Sequence, residues 1–193
     1  MRHKRLTTSD DHIIDVYDNV FSTQENQYHY DFVYDLDYRF QYFRHPWSND
    51  QQYYLKSNLS KEQVQQLEIL ENNNIIELLR KHVGSNVHLN QCWVLATTSS
   101  HAAHIFHNDE PYDATNKNKS RKIFLYHINP FWNKNWHGET LFASDQEEPE
   151  IAVQYVGGRV IIYDSSVFHC SAPIIPGGHI RFILAANFQD NEI

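Results

Sequence analysis

Residues 157–171, Gly157-Gly158-Arg159-Val160-Ile161-Ile162-Tyr163-Asp164-Ser165-Ser166-Val167-Phe168-His169-Cys170-Ser171, decide the fold. Two apolar runs, each too short for a helix, are separated by Asp and Ser and preceded by a glycine pair, so they read as strands joined by a turn. The same texture extends outward on both sides. Segments at 93–97, 104–107, 122–128, 140–142, 151–156, 159–163, 167–170 and 180–188 are all strand-sized and are broken by Gly, Pro, Asn and Asp. Short strands with turn signals between them predict a mainly β, α+β chain built on a jelly roll or barrel rather than a parallel sheet.

Upstream, the texture changes near Gly84, and residues 1–90 are rich in Tyr, Asp, Asn and Gln. Residues 13–20 read as a strand entering a turn at Asp18-Asn19, and Ser22 caps a short helix containing Glu25. Ser60 and Gln63 form a capping box. The helix they open runs through Val64, Leu67, Leu70, Ile75, Leu78 and Leu79 to a stop at Gly84, with Asn72 to Asn74 able to split it in two. Arg2 to Arg5 reads as a loose basic terminus. The Tyr-rich stretch 28–54 suits a substrate lid, a dimer surface or, the reading favoured here, a loop-rich support for the roll. No repeat or linker marks a boundary, so 1–193 is expected to be one domain, with 1–90 as helical and strand support and 91–188 as the jelly-roll core.

Composition narrows the function classes. The 193 residues carry 16 Lys and Arg against 24 Asp and Glu, a formal charge of −8, which leaves no general footing for nucleic-acid binding. With 41% hydrophobic residues, of which aromatics supply a large part, the chain can fill a core, and global disorder is excluded. Cys92 and Cys170 are too few and too far apart for a disulfide framework or a zinc ribbon. No apolar run approaches the ~18 residues of a membrane span, and the basic start leads into polar residues rather than a signal core. A soluble, cytoplasmic protein without a membrane partner is expected.

Thirteen histidines require spacing to select among them. In His107-Asn108-Asp109 the outer two residues share one face of a strand, so an imidazole and a carboxylate can reach one ion. His169 offers the third ligand from a distant strand. Two imidazoles and a carboxylate form a facial triad suited to non-haem Fe(II), and Zn(II) accepts the same groups. Arg181 adds a second signal. It sits in the apolar run Ile180-Arg181-Phe182-Ile183-Leu184, where a guanidinium needs an anion, either the carboxylate of a ligand beside the metal or a nearby Asp or Glu. His101, His104, His137 and His179 are assigned no role. Cys170 reads as a small core residue turned away from the metal. Trp93, Tyr112, Trp132 and Trp136 surround the motif in sequence and could line a pocket or serve in packing.

The blocks Phe106-His107-Asn108-Asp109, Arg121 to Asn129, His137-Gly138-Glu139-Thr140-Leu141-Phe142, and Gly158 to Tyr163 followed by His169-Cys170-Ser171-Ala172-Pro173 and Gly178-His179-Ile180-Arg181-Phe182 resemble the Fe(II)/2-oxoglutarate-dependent oxygenases, within them the prolyl-4-hydroxylase-like group. Their order and spacing are far more specific than His-x-Asp alone. The resemblance implies a double-stranded β-helix, a cupin-like jelly roll with supporting N-terminal helices. It implies Fe(II) on His107, Asp109 and His169, and 2-oxoglutarate with its distal carboxylate on Arg181. His127 takes the place of a family tyrosine that donates to 2-oxoglutarate, which would make co-substrate binding sensitive to pH. Ile183 stands where Arg-x-Ser relatives have a hydroxyl, and Ser171 or Thr140 can substitute. Tyr112 and Trp132 are the candidate substrate contacts. O2 would be the oxidant, ascorbate a reductant, and succinate and CO2 the co-products, with hydroxylation favoured over halogenation because Asp109 is retained. The prime substrate would be a prolyl-like peptidyl side chain, a free amino acid or another small metabolite. A non-catalytic cupin-like binder and a zinc hydrolase are the rival readings.

Overall fold

The computed structural model describes residues 1–44, 51–100, 105–109, 121–144, 148–177 and 179–190. Its strands in chain order are β1 (Arg2–Thr7), β2 (Ile13–Asp18), β3 (Arg39–Arg44), β4 (Gln51–Asn58), β5 (Val87–Thr97), β6 (Arg121–His127), β7 (Thr140–Ala143), β8 (Ile151–Val153), β9 (Val160–Asp164), β10 (Phe168–Ser171) and β11 (Arg181–Asp190). The helices are α1 (Thr23–Tyr34), α2 (Lys61–Gln66) and α3 (Asn73–His82). An eight-stranded antiparallel sheet has the order β1-β2-β9-β6-β11-β5-β4-β3, and a three-stranded sheet has the order β10-β7-β8. A bridge between His107 and His169 adds the segment at 105–109 to the edge of the smaller sheet. Two antiparallel sheets laid face to face in this way make the double-stranded β-helix.

Alternation sorts the apolar runs into two layers. Ile123, Leu125, Ile161, Tyr163, Ile183 and Ala185 point into the roll and pack with Phe142 and Val153 of the smaller sheet. Their neighbours Phe124, Tyr126, Val160, Ile162, Phe182 and Leu184 face the other way, onto Val33 of α1 and Ile75, Leu78 and Leu79 of α3. Both faces of β6, β9 and β11 are therefore buried, which is why these strands read as unbroken apolar runs. A slip of one residue would exchange the layers and drive polar groups into the core. At roughly 1.5–3 kcal/mol for each large apolar side chain buried, such a slip is prohibitive.

The helices are set by their caps. Ser22 and Glu25 close a reciprocal capping box on α1, and Ser60 and Gln63 do the same on α2. Asn72 ends a 3-10 turn at 69–71 and caps α3 through the amides of Asn74 and Ile75. Gly84, at φ 133, carries the chain out of α3 in a conformation that favours glycine.

Four sequence expectations are corrected. Arg2 to Arg5 is not loose: β1 pairs with β2 from Arg2↔Asp18 to Thr7↔Ile13, and Arg5 donates to Asp15 at 2.9 and 3.0 Å. The described residues of 28–54 are not loop-rich, because α1 runs to Tyr34 and the antiparallel pair β3/β4 extends the main sheet beside β5. The strand expected at 151–156 ends at Val153, and in the segment expected at 104–107 the described residues form only the bridge at His107. No helix among the described residues is long and apolar enough to cross a membrane.

Candidate active site

The two sheets bring the far-apart histidines together. His107 and His169 face each other across an antiparallel bridge whose backbone bonds are 3.1 and 2.9 Å, and Asp109 N–H donates to Ser165 O at 2.9 Å. One ligand atom from each of His107, Asp109 and His169 lies within 4.8 Å of the others, with His169 Nε2 3.5 Å from Asp109 Oδ2. Donors about 2.0–2.2 Å from one ion and at right angles to each other are about 3 Å apart, so a small closure completes the set.

The protonation pattern suits a metal. His107 Nδ1 donates to Ile105 O at 2.9 Å, and His169 Nδ1 donates to Val167 O at 3.1 Å. A carbonyl can only accept, so each ring carries a proton on Nδ1 and turns Nε2 toward the cluster. Burial, reinforced by His107, pushes the His169 pKa down to about 4 and keeps that ring neutral, the form that can ligate. Tyr163 stands edge-on to His169 at 5.0 Å and seals its back.

The triad opens on a cavity of about 560 Å³, also lined by Tyr54, Lys56, Trp93, Arg121, Thr140 and Ser171. Thr140 is 2% exposed, and its Oγ1 has no hydrogen-bond partner among the described residues. Ser171 pairs with Thr140 across the β10/β7 ladder. Cys170 is buried, as expected of a small core residue, although it too contributes to the cavity wall. Burial pushes its thiol up to about 11.

Arg181 begins β11 one inward position before the lining residue Ile183 and is 1% exposed. Its Nη1 donates to Gly138 O at 2.6 Å and its Nε has no acceptor among the described residues. No carboxylate among the described residues pairs with it, whereas Arg159, the other Lys or Arg after Lys134, holds Asp18 at 2.7 and 3.1 Å. Desolvation pushes Arg181 down to about 10. Gly138, at φ 83, makes the close approach possible: a Cβ there would sit 3.2 Å from Arg181 Nη1.

His127 shares the inward face of β6 with Leu125 and is fully buried, stacked on Tyr155 at 4.2 Å. Its Nδ1 accepts from Val156 N–H at 3.3 Å, so Nε2 carries the proton, and that donor has no partner among the described residues. Burial, then the charges of Arg159 and Arg181, hold its pKa well below 6.5. The expected pH sensitivity is therefore corrected: the ring is neutral throughout the physiological range. Trp132 is not brought to the cavity. It donates to His137 O at 2.8 Å and packs on Trp136 and Tyr155. Tyr112, His101 and His104 lie outside the described residues. The lining residues Tyr54, Lys56, Arg121, Asn90, Gln91 and Asn187 were missed by sequence reasoning. For Arg121 a signal existed, a cation opening an inward-facing strand.

No family model and no curated protein matches the sequence. Solved structures do. HygX from Streptomyces hygroscopicus, with nickel and 2-oxoglutarate bound, superposes with a TM-score of 0.67 at 11% identity over 92% of this chain and 83% of that one. A Pseudomonas putida prolyl-4-hydroxylase gives 0.65 at 12% identity, covering 93% of each chain. The Trichoplax adhaerens prolyl hydroxylase, in complex with a hypoxia-inducible-factor peptide fragment, gives 0.64 at 15% identity over 92% and 83%. The chain has the double-stranded β-helix fold of the 2-oxoglutarate–Fe(II) oxygenases, the prolyl hydroxylases among them.

Proposed function

We propose that the protein is an Fe(II)- and 2-oxoglutarate-dependent dioxygenase that hydroxylates a peptidyl side chain, a free amino acid or another small metabolite, releasing succinate and CO2. One observation carries the reading: a two-histidine, one-carboxylate cluster and a buried guanidinium with no paired carboxylate among the described residues share the interior of one roll. His107, Asp109 and His169 would hold iron through Nε2, a carboxylate oxygen and Nε2. Arg181 would take the distal carboxylate of 2-oxoglutarate in its fork, with His127 Nε2–H, Thr140 Oγ1 and the Ser171 hydroxyl as further donors. Arg181 Nε, His127 Nε2 and Thr140 Oγ1, buried and without partners among the described residues, fit the group, since each would gain the partner that it lacks in the protein alone.

Iron in this site supplies the activation of O2 that couples decarboxylation of the co-substrate to oxidation of the prime substrate. The chain's share is geometric. The Nδ1 bonds to Ile105 O and Val167 O fix both imidazoles, Arg181 sets the reach of the co-substrate, and the apolar walls at Leu125, Ile183 and Ala185 limit water. The test is succinate formation from 2-oxoglutarate by anaerobically reconstituted protein after admission of air, with and without ascorbate. Turnover restored by Fe(II), inhibited by Zn(II) and lost in His107→Ala is expected. Absence of turnover with bound metal would favour the non-catalytic binder, and zinc-dependent hydrolysis would favour the hydrolase.

A further inference from the structure

His137 holds a backbone conformation that an L-residue adopts only at a cost. Its φ of 56 and ψ of −143 lie close to the region that glycine alone populates freely, and Gly138 follows at φ 83. The carbonyl of Gly138 is the one that receives Arg181 Nη1, at 2.6 Å. The His137 side chain does not compensate for the strain: it is 58% exposed, and its Nδ1 is 3.8 Å from Glu139 Oε1, too far for a hydrogen bond. The turn is held through its backbone instead. Trp132 Nε1–H donates to His137 O at 2.8 Å, Gly138 N–H donates to Pro173 O at 3.2 Å, and His137 is bridged to Ile174. On either side Ile175 N–H donates to Trp136 O at 3.2 Å and Ala172 N–H to Glu139 O at 2.8 Å. A surrounding that over-determines the backbone in this way is what keeps a strained residue in place.

What the strained turn serves is Arg181. The backbone of this residue is fixed from another side by Asn129, whose Nδ2 donates to Ile180 O and whose Oδ1 accepts from Phe182 N–H, both at 2.8 Å. Tyr155 Oη joins them, 2.7 Å from Asn129 Oδ1. These bonds place the Arg181 Cα and leave its side-chain torsions free. Among the described residues the one acceptor that fixes the guanidinium is Gly138 O. A side chain of this length has much rotamer freedom to lose when it grips a ligand, and fixing it beforehand removes that loss from the binding step. Trp132 braces the neighbouring donor as well: its ring packs 4.8 Å from Tyr155, which stacks on His127 at 4.2 Å.

We propose that His137 and Trp132 are positioning residues for Arg181. Trp132 pins the His137 carbonyl, the strained turn at 137–138 aims the Gly138 carbonyl at Nη1, and the guanidinium is thereby set in advance for an anion inside the roll. The inference rests on the proposed function for the identity of that anion, 2-oxoglutarate, and on the turn alone for how Arg181 is held. Strain kept in the protein before binding is the counterpart of an anchor that needs no reorganisation on binding.

Relieving the strain should move stability and binding in opposite directions, which general damage to the fold would not do. His137→Gly should raise the thermal midpoint of the metal-free protein by a few degrees. In anaerobic calorimetry of the Fe(II)-loaded protein the same variant should weaken 2-oxoglutarate by about fivefold or more and leave Fe(II) affinity unchanged. His137→Ala, which keeps the Cβ and loses the imidazole, should match the wild type in both measurements. Trp132→Phe, which keeps a ring on Tyr155 and removes the N–H donor, should also weaken 2-oxoglutarate several-fold. Combined with His137→Gly it should bind no worse than the weaker single variant, since both act through one turn. In side-chain nitrogen NMR of the protein without 2-oxoglutarate, the Arg181 Nε–H signal, assigned by its loss in Arg181→Met, should be sharp in the wild type and His137→Ala and broadened in His137→Gly. The proposal is overturned if His137→Gly lowers the midpoint, or leaves 2-oxoglutarate affinity or the Nε–H signal unchanged. It is overturned equally if His137→Ala loses as much affinity as His137→Gly, because the imidazole and not the backbone would then be responsible. A wild type that takes up no 2-oxoglutarate would sink the oxygenase reading, and the midpoint and the Nε–H signal would then decide the clamp by themselves.

Discussion

A guanidinium that is 1% exposed, with one carbonyl for its donors and an orphaned Nε, lowers the stability of the protein that contains it. Two opposite effects of substitution at Arg181 follow. Without 2-oxoglutarate, Arg181→Met should leave the thermal midpoint unchanged or raise it, since an unpaired charge is replaced by an apolar chain of similar length. With 2-oxoglutarate present, the wild type should gain several degrees and the variant none. In turnover, Arg181→Ala should raise the KM for 2-oxoglutarate by about 30-fold or more, the range expected when one partner of a buried charged pair is removed, while Fe(II) binding changes little. Equal loss of both would make Arg181 a structural residue. At His127 the ring stays neutral, so the 2-oxoglutarate KM should show no inflection between pH 6 and 8 from this group. His127→Phe, which removes the Nε2 donor and keeps the stacked ring, should raise that KM several-fold, as steady-state assays across pH can check.

At the scale of elements, β1 is held by charge more than by burial, since its side chains are exposed apart from half-buried Leu6. Asp15 is the post. It takes Arg5 through both oxygens and His3 Nε2 at 2.6 Å, with His82 Nδ1 3.7 Å away. Burial alone would raise its pKa, but the hydrogen bonds from Arg5 and His3 outweigh that and hold the carboxylate below its usual range. Asp15→Asn should cost about 1–3 kcal/mol in urea unfolding and release the β1 amides to hydrogen exchange before the rest of the sheet. This contact explains why β1 was illegible: Arg2 to Thr7 shows no apolar alternation, and its partner lies on the neighbouring strand. The β3/β4 hairpin was hidden for a related reason. Its polar, Tyr-rich strands cover the edge of the sheet instead of filling the core, so Tyr54 and Lys56 could not be seen to reach the cavity. The caps at Ser22, Ser60 and Asn72 were legible because a capping box is a local contract between residues three apart. The strands of the roll were legible because burial on both faces writes itself as apolar runs. The spacing of His107 and Asp109 announced a shared face, and the structure brings His169 to it. Whether Arg181 had a carboxylate neighbour was a question of tertiary placement that no local pattern could answer.

At the scale of the whole molecule, two imidazoles, the buried His29 and the half-buried His82, fasten the helical layer to the main sheet. His29 of α1 lies 2.9 Å from Tyr126 Oη on β6 and donates Nε2–H to Leu67 O at 3.0 Å. His82 at the end of α3 meets Tyr17 Oη of β2 at 2.7 Å. Desolvation pushes both down to about 4, against about 6.5 in an unfolded chain. Between those values the unfolded state binds more protons than the folded one, so stability must rise with pH across that window. The full contribution is present above pH 6.5 and is lost progressively as the pH falls toward 4. Two and a half units correspond to at most about 3 kcal/mol per group before solvent screening, so these two rings together should account for a loss of ~2–4 kcal/mol between pH 7 and pH 4.5, to which His127 and His169 add in the metal-free protein. Urea midpoints measured at half-unit steps should trace that fall. In His29→Gln, whose amide can still meet Tyr126 or Leu67 but cannot titrate, the slope between pH 6.5 and 4.5 should drop by about a quarter, because His82, His127 and His169 are depressed as well. An unchanged slope would mean that His29 is already open to solvent in the folded protein, and that α1 is not clamped to β6 as the hydrogen bonds describe.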